Sequence, residues 1–180
     1  TINIAGIPLN KQEVANAVYS GPFVTKAKEE FSNSQNANIQ KWSAYIKGDV
    51  LRQEYLRVAL EWVCKSEADE DIEAYMSRHR HDTDIQELKT YFTSVIDWIS
   101  GVFSDVESEM RGIEWGRLFE IYHNQPYDPV EVSDKLHELY ADGAVKKRAG
   151  IFEYILGGCK EPRLLEIRIF EESTKKAVYA

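Results

Sequence analysis

Between Ile85 and Phe103 the apolar side chains fall at alternating spacings of three and four, at Ile85, Leu88, Phe92, Val95, Ile99 and Val102. That is the repeat of one face of an α-helix. Tyr91, Ile96, Trp98 and Phe103 widen the stripe, which predicts a central, heavily buried helix. A second long stripe, Leu51, Tyr55, Val58, Ala59 and Trp62, predicts a helix over Val50 to Cys64. Shorter helical patterns cover Ile39 to Ile46, Ile72 to Ser77, Trp115 to Tyr122, Pro129 to Tyr140 and Lys146 to Leu156.

The polar residues between these stripes mark where helices start and stop. Asn10 precedes a helical run and Glu13 stands three residues on, a capping-box variant with Asn in the Ser/Thr place. Leu9 and Val14 flank it at the positions of a hydrophobic staple. This first helix should end at Ser20-Gly21, where Pro22 opens a second one. Gly48-Asp49 and Gly157-Gly158 read as breaks, "FSNSQNAN" as a loop, and Asp128-Pro129 as a cap followed by proline in the first turn. Alternation of Leu165, Ile167 and Ile169 with Glu166 and Arg168 is strand-like. The expected fold is therefore mainly α, an irregular multi-helix bundle with at most short extended segments near residues 1–7 and 164–170. One domain over residues 1–180 fits this length, and no repeat or internal linker interrupts it.

Composition narrows the function classes. At 43% hydrophobic and 12% aromatic residues the chain can fill a core, yet no apolar run approaches the ~20 residues that span a bilayer. Cys64 and Cys159 lack a second Cys or a His at metal-ligand spacing, so they read as reduced thiols of a cytoplasmic protein. A net charge of −8 argues against nonspecific coating of nucleic acid by the whole surface. The charge is uneven, however. From Val145 onward, eight Lys and Arg face five Glu. Lys146, Lys147, Arg148, Arg163, Arg168, Lys175 and Lys176 are the candidate contacts to duplex DNA, with an ordinary solvated surface as the alternative.

Candidate chemistry is sparse. "RHRHD", residues 78–82, places His79 and His81 two apart, on opposite sides of a helix, where they cannot share a metal ion. In a loop, His79, His81 and Asp82 would make a weak metal set; the alternative is a charged helix end with cations on the C-terminal dipole. No glycine-rich phosphate loop, nucleophile elbow or complete catalytic constellation is present. No cofactor is expected, and the chain alone reads as non-catalytic.

Three stretches carry a family resemblance: "LNKQEVANAVYSGPF", then "YFTSVIDWI" through "WGRLFEIY", then "GIFEYILGG" with "LLEIRIFEESTKKAVYA". Together they resemble the helical region of bacterial nucleases that join an N-terminal ParB/sulfiredoxin-like domain to a C-terminal HNH domain, the group that includes the modification-dependent GmrSD restriction enzymes. The resemblance implies an internal piece of a larger endonuclease. Residues 1–8 would leave a preceding domain and residues 171–180 would lead into the nuclease, so both neighbouring domains become the expected partners. Neither the Gln-Gln-Arg motif nor the HNH residues of that family occur here, so it supplies no catalytic residue.

Overall fold

A computed structural model describes residues 3–4, 6–66 and 70–167. The protein is mainly helical, as the periodicity predicts. Two short strands, β1 (Asn3–Ile4) and β2 (Ile7–Pro8), pair antiparallel. Nine α-helices follow among the described residues: α1 (Lys11–Val18), α2 (Pro22–Phe31), α3 (Ile39–Trp42), α4 (Glu54–Ser66), α5 (Ile72–His79), α6 (Gln86–Val102), α7 (Trp115–Tyr122), α8 (Pro129–Ala141) and α9 (Gly150–Leu156). None is long and apolar enough to cross a membrane. The chain divides into two compact units, Thr1–Gly101 with Val106–His123, and Val102–Asp105 with Asn124–Ala180.

The first unit is organised around α4, which touches α1, α2, α5 and α7. Its apolar stripe buries Tyr55, Leu56, Ala59, Leu60, Trp62 and Val63. Phe92 of α6 sits at the centre of an aromatic cluster. It packs edge-on against Phe31 and Trp42 at ring separations of 5.0 and 4.9 Å, and stacks on Trp62 at 5.1 Å. Such pairs add to the burial of each ring. Trp115, fully buried, donates its indole N–H to the Met110 carbonyl at 2.9 Å and so anchors the loop ahead of α7.

The Asn10 cap forms as expected, with Glu13 N–H donating to Asn10 Oδ1 at 2.9 Å and Asn10 N–H to Glu13 Oε2 at 2.8 Å. Glu13 also takes two bonds from the Arg52 guanidinium, at 2.9 and 3.0 Å. The backbone amide at Asn10, together with Arg52, holds the Glu13 carboxyl below its ordinary pKa despite the opposing effect of burial. Val14 remains 47% exposed, so the expected staple with Leu9 leaves much of its side chain in water.

Two helices begin later than the apolar pattern predicts. Residues 50–53 form a turn, and Leu51 is 66% exposed instead of sharing the face of α4. Asp49 Oδ1 accepts from the Leu51 N–H at 2.8 Å, Glu54 accepts from the Asp49 N–H, and Gln53 takes φ 65°. Side chain and strained backbone together displace the first helical turn. The helix expected from Lys146 starts only at Gly150, and residues 146–149 form a non-helical segment whose first two amides bond to the Leu165 carbonyl.

The second unit buries Phe103 edge-on against Phe152 at 5.4 Å, with Leu136, Leu139, Ile151 and Leu165 around them. Here the strand-like reading near residues 164–170 is corrected in part. Pro162–Leu165 is a 3-10 turn and Glu166 is left-handed at φ 45°. Pro162 presets the turn at its first position, and burial of Leu165 outweighs the alternation that follows. The remainder of that stretch, residues 168–170, lies outside the described residues.

A basic edge on the second unit

The candidate DNA contacts come from two segments that the second unit fastens together. The Leu165 carbonyl accepts from the N–H of both Lys146 and Lys147, each at 3.1 Å. This clasp lays residues 146–148 against the 3-10 turn that carries Arg163. Gly150 makes the approach possible, since a Cβ there would lie 1.8 Å from the Leu164 carbonyl oxygen. Only glycine admits a backbone so close. The segment that carries Lys146, Lys147 and Arg148 is thus brought to the turn that carries Arg163, 15 positions after Arg148. Arg168, Lys175 and Lys176 lie outside the described residues.

Arg148, in the turn before α9, is positioned by Tyr140 of α8. Its guanidinium sits 4.9 Å from the Tyr140 ring centroid and donates to the Tyr140 carbonyl at 3.4 Å. Lys147 lies 4.0 Å from Glu166, and Arg163 2.8 Å from Glu161. All four of those side chains are more than half exposed. Ion pairs in that setting contribute at most about 1 kcal/mol and yield readily to a competing polyanion.

The histidine motif resolves into a helix end. His79 closes α5, its ring 4.2 Å from Tyr75 and 5.7 Å from Phe23. Its Nδ1 lies 2.6 Å from Asp82 Oδ2, and Tyr75 donates its hydroxyl to Glu87 at 2.8 Å beside it. His81 is exposed. Among the described residues no three His, Cys, Asp or Glu side chains converge to hold a metal ion. His79 and Asp82 are brought together, and the imidazole serves as a packed, hydrogen-bonded end to the helix.

One polar cluster escaped sequence reasoning. In the second unit Ser133 donates to Asp105 Oδ2 at 2.5 Å, and His137 Nε2 lies 3.4 Å from the same oxygen. Ser133 and His137 are four apart on α8, a spacing visible in the sequence, but nothing in the pattern foretold that Asp105 would meet them. These residue types match a nucleophile triad while their order does not. The carboxylate stands between hydroxyl and imidazole, so the imidazole cannot take the serine proton directly. The cluster ties the start of α8 to the 103–107 loop. Cys64 and Cys159 form no disulfide among the described residues, and burial pushes the Cys159 thiol up, away from the reactive thiolate.

No protein-family model, curated protein or solved structure matches this chain.

Proposed function

We propose that this chain is a non-catalytic helical spacer and DNA-positioning module of a bacterial restriction or phage-defence endonuclease. It would work in the cytoplasm between a ParB-like and an HNH domain of the same protein. The observation that supports the DNA contact is the Leu165 clasp, which brings the segment carrying Lys146, Lys147 and Arg148 to the turn carrying Arg163. Basic residues on two adjoining segments of an otherwise acidic chain suit contact with phosphates, which fixes position without reading bases. The place in a nuclease comes from the family resemblance of the three quoted stretches.

The test is fluorescence anisotropy with labelled duplexes of unrelated sequence. Simultaneous replacement of Lys146, Lys147 and Arg148 by Glu should abolish binding to all of them alike. Equal affinity of that variant would end the proposal. A scaffold reading without DNA contact draws support from Val14 and Val18, one turn apart on α1 and 47% and 55% exposed. In that case the charge-reversed variant and the parent would both leave DNA free and retain the partner domains.

A further inference from the structure

We propose that the groove between α4 and the start of α7 is a binding site for a small organic anion built on a flat ring. It lies in the first unit and is independent of the basic edge. The cavity measures about 210 Å³, which suits one substituted ring rather than a cofactor or a peptide. Its lining includes Tyr45, Trp62 and Ile113 together with Lys47, Lys65 and Arg117. Tyr45 and Trp62 are buried, whereas Lys47 and Lys65 are exposed. The aromatic rings therefore form the floor and the ammonium groups stand toward solvent.

Three features build this groove. The Gly112 N–H donates to the Tyr45 carbonyl at 3.0 Å, and Arg111 Nε to the Ile46 carbonyl at 3.3 Å. These bonds pin the loop before α7 across the end of α3. Gly116 then brings the α7 backbone against Trp62, where an added Cβ would lie 2.4 Å from Trp62 Cδ1. The walls are thus held by backbone contacts and need no ligand to form.

Charge decides the kind of ligand. Glu61 and Glu114 also line the groove, but each carboxylate already has a guanidinium. Glu114 lies 3.0 Å from Arg117, and Glu61 lies 3.3 Å from Arg57. Among the described residues, Lys47 and Lys65 have no carboxylate within ion-pair distance. Two ammonium groups without a carboxylate partner among the described residues, beside an aromatic floor, select a ring that bears a negative group. A carboxylate and a phosphate monoester share this chemistry.

The experiment is an NMR titration of the full chain with benzoate, its neutral analogue benzamide, and phenyl phosphate, followed through the backbone amides of residues 112–117. Benzoate should shift those amides in the millimolar range, as befits so small a ligand, and bind about tenfold more tightly than benzamide, the effect of one good charge contact. Preference between benzoate and phenyl phosphate assigns the anion, and either preference supports the site. Lys47→Gln with Lys65→Gln should bring benzoate down to the affinity of benzamide, with an unchanged melting curve because both lysines are exposed. Equal affinity for benzoate and benzamide, unmoved amides, or undiminished benzoate binding in the double variant would overturn the proposal.

Discussion

Replacing Gly150 with Ala sets two ordinary rules against each other. Gly150 is the first residue of α9, and on helix propensity alone alanine should stabilise it by up to about 1 kcal/mol. The structure reverses the sign. The new methyl would meet the Leu164 carbonyl oxygen at 1.8 Å, against the ~3.3 Å of a close carbon–oxygen contact. One backbone segment must move by about 1.5 Å, and backbone cannot rotate away as a side chain would. Overpacking of this kind costs about 1–3 kcal/mol. The movement also strains the two bonds to Leu165, next in the chain, each contributing about 0.5–1.5 kcal/mol. After the propensity gain, a net loss of at least about 1 kcal/mol is expected. Circular dichroism melts should show a Tm lower by about 3 °C or more. Hydrogen exchange at the Lys146 and Lys147 amides should accelerate by about tenfold or more, because that clasp is what yields. An unchanged or raised Tm with both amides still protected would refute the reasoning.

Two further substitutions probe the first unit. Since the folded Glu13 carboxyl is held low, its stabilisation is present above the unfolded carboxylate pKa of ~4.3 and is lost as pH falls through the lower, folded value. Glu13→Gln should flatten the acid limb of stability against pH measured by urea titration, and parallel limbs in parent and variant would contradict this. Trp115→Phe leaves the Met110 carbonyl with the longer 3.4 Å bond from the Ile113 N–H in place of the 2.9 Å indole bond and opens a void in the core, for a loss of about 1–3 kcal/mol in denaturant titration. A loss below about 0.5 kcal/mol would show that the indole bond does not anchor the loop before α7.

The parts of the fold legible in sequence were those fixed by one segment's own chemistry. The α6 stripe, the Asn10–Glu13 cap, Asp128 before Pro129, and the bounds of α7 all depend on residues within a few positions of each other. What escaped was decided across the chain. Leu51 reads as part of the α4 face, yet Asp49, Gln53 and Glu54 fold its segment into a turn. Lys146 to Ala149 have helical composition, but the Lys146 and Lys147 amides bond to the Leu165 carbonyl and the helix starts only at Gly150. Leu165 opens an alternation that reads as a strand, while Pro162 and the burial of Leu165 make a 3-10 turn of residues 162–165.

The candidate site divides the same way. A surplus of cations after Val145 was countable, and it named the residues of the basic edge. Their convergence was not countable, because it depends on a glycine admitting a carbonyl from another segment. The histidine pattern left a weak metal set and a helix end open, and His79 and Asp82 meet at the helix end. Asp105 joined Ser133 and His137 by a contact 28 residues away in sequence, which no local pattern signals.

The most direct test of the central claim is the salt dependence of duplex DNA binding by this chain, read by fluorescence anisotropy at several ionic strengths. A phosphate-contacting edge predicts micromolar binding at low salt and a log–log slope of about −3 to −4, for the four gathered cations at roughly 0.9 each. Replacing any one of them with Ala should make that slope shallower by about one. A flat trace at low salt, or binding whose slope ignores all four replacements, would contradict the account.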